Sequence, residues 1–213
     1  MNRSLLLSAT ALSLLLVGCG DKNKLDNTLG LPVVRSTCPA VAVAAYTGDI
    51  SVFSPPQSQD ARALDVMASI TNLRTTCDET GNVVHATATF DVEARRASHF
   101  GTREVVLPYF ATVLRGGSRI MSKQQGRVLV RFAEGQTRAT ATATAAADVQ
   151  KSLAALPSIV QERLRRKRKA TDADASIDPL ADPKVKAAIN EANFELVVGF
   201  QLTEGQLAYN ATR

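Results

Sequence analysis

Tryptophan is absent from this 213-residue chain, histidine occurs twice, and aromatic residues make up only 5% of it. Seven Phe and three Tyr must therefore supply most of the large side-chain volume of any core. Such scarcity argues against binding single-stranded nucleic acid, which needs aromatic platforms for successive bases. No apolar run is long enough for an internal membrane-spanning helix. Motifs for the common chemistries are missing too: there is no GxSxG elbow, no Walker loop, no HExxH and no dinucleotide fingerprint. His85 and His99 come with no motif that sets a nucleophile or carboxylate beside them, and read as surface or structural residues.

What is present describes a folded chain. Hydrophobic residues reach 45% and charged residues 21%, which excludes a collagen-like, mucin-like or wholly disordered polymer. The formal net charge of +5 is mild; it permits contact with an anionic surface without requiring one.

The first 19 residues carry the sharpest signal. Arg3 supplies a positive start, and Leu5 to Val17 is an apolar core of signal-peptide length. It ends in Leu16-Val17-Gly18-Cys19, which closely resembles the bacterial lipobox. The resemblance implies that residues 1–18 are a signal peptide cut before Cys19, whose thiol takes a diacylglycerol and whose freed amine is acylated. Each buried methylene contributes about 0.8 kcal/mol, so two or three chains anchor firmly. By resemblance to sorted lipoproteins, Gly20 after the cysteine favours the outer membrane over the retention that an Asp would signal. Residues 19–37 then form the lipidated cysteine and a polar tether.

Two further cysteines, Cys38 and Cys77, most simply pair as one disulfide in an oxidising compartment. No CxxC or HxxxH spacing supports a metal, and no cofactor is implied. If residues 40–54 and 64–77 form an antiparallel hairpin around the 55–60 loop, Cys38 falls opposite Cys77 and the bridge clips its open end.

The clearest strand follows a turn at 78–82. Val84, Ala86, Ala88, Phe90, Val92 and Ala94 alternate with polar residues, the period of a half-buried strand. Further strands are expected over 103–114, with Pro108 marking an edge or bulge, over 119–132, and over the Ala/Thr alternation of 137–147. Residues 148–169 read as helical with a break at Pro157. Asp182-Pro183 opens a short helix, and Phe194 to Leu202 is the last strand. Thr203 and Gln206 have capping-box spacing for a terminal helical turn. The sum is a mainly β chain: an immunoglobulin/fibronectin-III-like antiparallel β-sandwich over residues 38–213, with a helical, charged insertion at about 148–193 before the last strand.

The tail Gly199-Phe200-Gln201-Leu202-Thr203-Glu204-Gly205-Gln206-Leu207-Ala208-Tyr209-Asn210 resembles the C-terminal signature of a group of alphaproteobacterial envelope lipoproteins. That group also has a lipobox, a start like Cys38-Pro39 and a second cysteine like Cys77. The resemblance implies a location and an architecture, and brings no activity with it.

Arg163, Arg165, Arg166, Lys167, Arg168 and Lys169 form the most polarised stretch. Such a run can meet lipid phosphates or another polyanion, or simply be a solvated helix end favoured by the helix dipole. Asp172, Asp174, Asp178 and Asp182 lie downstream and can neutralise it in part. The start of this acidic link imitates a calcium loop, but Ile177 stands where the invariant Gly belongs and Pro183 where the bidentate Glu belongs.

The expectation is thus a lipid-anchored periplasmic protein, bound to the membrane through its lipid and to an unidentified envelope protein, with no nucleic-acid partner and no enzymatic activity. A polyanion or headgroup contact through 163–169 is the first alternative, and a hydrolase with an unrecognised site the second.

Overall fold

The computed structural model describes residues 36–58, 60–166, 171–174 and 176–212, together with the short paired strands 24–25 and 168–169. Eight longer strands carry the fold: β1 (Ala40–Val43), β2 (Asp49–Phe53), β3 (Leu64–Asp78), β4 (Val83–Arg96), β5 (Arg103–Arg115), β6 (Arg119–Phe132), β7 (Arg138–Gln150) and β8 (Phe194–Phe200). Four helices accompany them: α1 (Lys151–Ala154), α2 (Ser158–Arg165), α3 (Pro183–Glu191) and α4 (Glu204–Thr212). The strands form two four-stranded sheets, ordered β1-β8-β5-β6 and β2-β3-β4-β7. Every neighbouring pair is antiparallel except β1 with β8. The sandwich expected from the alternating patterns is therefore what the chain forms, with helices before the last strand.

Alternation places the core. The six apolar residues of β4 from Val84 to Ala94 are all buried, as are Leu107, Val128, Val130 and Phe132 from the facing sheet and Leu196, Val198 and Phe200 from β8. Each fully buried Val, Leu or Phe contributes roughly 1.5–3 kcal/mol. Large and small side chains alternate across strands: Phe90 pairs with Ala143 of β7, which leaves room for Tyr109 to meet the Phe90 ring edge-on at 5.3 Å. The Tyr109 ring also lies over Gly126, where a Cβ would come within 2.2 Å of it. Its hydroxyl donates to the Thr144 carbonyl at 2.7 Å, tying β5 of one sheet to β7 of the other.

Four expectations are corrected. Residues 40–54 are not one strand: β1 and β2 belong to different sheets. The crossing occurs at Tyr46, in the left-handed region at φ 62°, and at Thr47, whose hydroxyl occupies the space over Gly199. The β2–β3 register pairs Asp49 with Ser69, so Cys38 is not opposite Cys77 in a hairpin. Pro108 marks neither an edge nor a bulge: β5 is an inner strand, flanked by β8 and β6. The Pro108 carbonyl accepts from the Gln201 N–H just beyond the end of β8, so the proline sits where the β5–β8 ladder gives out. Finally, residues 148–150 continue β7, and the helical excursion begins at Lys151.

β4 runs the length of the sandwich, and its ends define two poles. At its C-terminal pole, Arg96 is 2% exposed. The Nε of Arg96 donates to the Gln136 carbonyl, and its terminal nitrogens donate to those of His99, Phe100, Gly101 and Ala133. The guanidinium lies 5.2 Å from the centre of the Phe132 ring. Beside it Arg103 grips Asp65 through two bonds of 2.7 and 2.6 Å, joining β5 to β3 across the sheets. That guanidinium holds the Asp65 carboxyl below the usual carboxylate range.

Arg96→Met keeps the length of the side chain but strips donors from five carbonyls, so it should cost about 3 kcal/mol or more, measured as a lower urea midpoint with an unchanged slope.

Candidate functional site

The opposite pole, where β4 begins, collects the features marked by the sequence. Cys38, just ahead of β1, is bonded to Cys77 near the end of β3, with the Cα atoms 6.2 Å apart. The bridge joins the two sheets instead of clipping one hairpin. Glu79 sits against it. One Glu79 carboxylate oxygen accepts from the Thr37 and Cys38 N–H groups at 3.0 and 3.1 Å and from the Ser36 hydroxyl. Those bonds, the Ser36 hydroxyl foremost, hold the Glu79 carboxyl below its ordinary value. Cys38, Cys77 and Glu79 are the one trio of possible metal donors among the described residues. With the two sulfurs bonded to each other, no thiolate remains to ligate.

The excursion leaves and returns at this same pole. Lys151 donates its N–H to the Asn82 carbonyl and its ammonium to that of Glu79, which pins α1 to the β3–β4 turn. Ala155, Leu156 and Pro157 separate α1 from α2, the break that Pro157 announces. On the return, Asp182 caps α3 by accepting from the Lys184 N–H at 2.7 Å, with Pro183 at the first helical position. That bond, with the Arg163 charge behind it, keeps the Asp182 carboxyl low. Arg115 donates to the Glu191 carbonyl, and Gly116 to that of Asn193, so the end of α3 is fixed to the β5–β6 turn.

The structure divides the basic cluster. Arg163 pairs with Asp182 at 2.5 Å, and Arg166 pairs with Asp174. Arg165 is exposed. Lys167 lies outside the described residues. Arg168 and Lys169 are placed as a short strand, antiparallel to Lys24 and Leu25. Residues 1–18 and Cys19 also lie outside the described residues. The calcium-like stretch is not assembled as a loop of converging carboxylates: Asp178 caps the turn at 179–181, Asp182 caps α3, and Asp174 meets Arg166.

The histidines are placed apart. His85, on the outer face of β4, meets Asp148 of β7 at 2.7 Å, both side chains mostly exposed. His99 stacks on Phe100 at 4.0 Å at the far pole. An open depression of about 510 Å³ lies over Pro108, Tyr109, Gln125, Gly126, Arg127 and Gln201; its hydroxyl, on Tyr109, is already committed to Thr144.

Two features eluded the sequence reading. Arg96 follows the inward parity of Ala94, so alternation alone could have marked it as buried. The bulge at Asn72, left-handed at φ 52°, had no such signal. There Asp91 accepts from Asn72 at 2.6 Å and from Thr142 at 2.9 Å, and these bonds hold its carboxyl low.

Replacing Cys38 and Cys77 together by Ser reopens a link between residues 39 apart and should lower stability by about 4 kcal/mol in chemical denaturation. Asp65, Glu79, Asp91 and Asp182 all bind protons less readily folded than unfolded. Their stabilisation is complete above the ordinary carboxylate range, near pH 4, and is lost as the pH falls through the depressed folded values. The thermal midpoint should therefore hold from pH 7 to about 5 and drop below about 4. Asp65→Asn, which removes one such carboxylate, should flatten that drop. No family model, curated protein or solved structure compared with this chain matches it.

Proposed function

We propose that this chain is a lipid-anchored protein of the bacterial envelope, facing the periplasm, that serves as a non-enzymatic binding or assembly module. The observation that carries the reading is the apolar leader ending in Leu16-Val17-Gly18-Cys19. The Cys38–Cys77 bridge supports it, because such bonds persist where thiols are kept oxidised. Gly20 after the acylated position favours the outer membrane, and the tail resembling envelope lipoproteins points the same way.

A second reading, contact with lipid headgroups or another polyanion through residues 163–169, draws support from exposed Arg165. It is narrowed by the carboxylates on Arg163 and Arg166.

Cells fed an alkyne analogue of palmitate should yield labelled protein in the membrane fraction, and Cys19→Ser should abolish the label. Unlabelled wild-type protein recovered from the cytosol would overturn the proposal.

A further inference from the structure

We infer that the excursion pole of the sandwich rests on the phospholipid surface to which Cys19 is anchored, with α1, α2 and the 177–180 turn as the contact. The inference rests on the acylation proposed above.

The first argument is a leash. Lys24 and Leu25 pair with Arg168 and Lys169. Only four residues separate Lys24 from Cys19, and whatever their conformation the five Cα steps span at most about 18 Å. Acyl chains on Cys19 hold that residue at the headgroups, so the far side of the excursion is never more than a short step from them.

The second argument is the chemistry of the surface. Ile159 is 75% exposed, Ile177 55%, Leu180 48% and Leu153 38%, all within the one excursion. Arg165, exposed on α2, lies between Ile159 and Ile177 along the chain. Apolar side chains beside arginine suit the boundary between acyl chains and anionic headgroups. Charge alone does not make the contact: between positions 148 and 193 there are nine basic and seven acidic residues. Asp182 and Asp174 already hold Arg163 and Arg166. Shallow insertion of the isoleucines and leucines therefore supplies most of the attraction, and the remaining cations favour an anionic leaflet.

The third argument is polarity of the fold. The chain enters the sandwich at Cys38, the bridge forms, and the excursion leaves and returns, all at the pole where β4 starts. Phe100, 75% exposed, stands at the other pole, separated by the fourteen residues of β4, about 45 Å.

The test uses the protein as the bacterial cell processes it, purified in detergent and returned to vesicles of phosphatidylethanolamine and phosphatidylglycerol with a nitroxide on a fraction of the headgroups. A clickable azide side chain in place of Ile159, or of Phe100 as the reference, carries a small fluorophore and leaves the native cysteines untouched. Quenching should be about threefold stronger at 159 than at 100, given their separation along β4. It should fall at 159 when the vesicles lack phosphatidylglycerol. Equal quenching at both positions, or stronger quenching at 100, would overturn the orientation and leave the excursion to a protein partner instead. Protein that fails to float with the vesicles would sink the acylation reading itself.

Discussion

A guanidinium with no carboxylate partner among the described residues closes one pole of this sandwich. Arg96 extends from the last inward position of β4 and spends its donors on five carbonyls of the 97–102 and 133–137 loops. A buried charge is costly unless its hydrogen bonds are met. Here they are met by backbone groups that would otherwise be poorly satisfied inside a turn. The same residue thus fixes the spacing of β4 from β6 and β7 and the path of two loops. Arg103 and Asp65 reinforce it across the sheets. With that pole closed, the sheets splay or close only about the other, where a covalent bond takes over.

The two poles are held by different physics. At the far pole the fastening is polar and local, and its cost is desolvation. At the near pole Cys38 and Cys77 join β1 to β3 directly, and Glu79 gathers the backbone just before the bridge. The excursion rides on this pole through Lys151, Arg115 and Asn190, each bonded to a turn carbonyl or to the chain that follows it.

Much of this was legible in the sequence because it is periodic or local. The alternation of β4, the break at Pro157, the Asp182-Pro183 helix start and the Thr203–Gln206 capping box depend on neighbours a few residues away, and the structure places each where its pattern puts it. Strand partnership is not local. In the first segment it is the odd-numbered Val41 that packs against the core while Val43 is exposed, whereas in β2 the core residues are the even-numbered Ile50 and Val52. That change of parity records the crossing between sheets, and reading 40–54 as one strand overlooked it. The bulge at Asn72 leaves a fainter trace, since the residues that stabilise it, Asp91 and Thr142, lie on two other strands. Pro108 misled because a proline's tolerance depends on where its neighbour strand ends, which its own sequence does not record.

The charged stretch shows how little a run of one sign says about a surface. Arg163 and Arg166 lie eight or more residues from the acids that answer them, and the turn between α2 and α3 folds those acids back. Local sequence reads as a basic block followed by an acidic block; folded, the two blocks interleave. What remains distinctive is apolar, namely Ile159 on α2 and Leu180 on the 179–181 turn, both exposed. Large aliphatic side chains left in water on an element that packs elsewhere cost free energy with no internal return. Lys24 and Leu25 pair with Arg168 and Lys169 in the same excursion, so the acylation proposed for Cys19 would give that cost a reason. A protein tied by a few residues to a bilayer can recover the free energy of those side chains there, and a freely diffusing one cannot.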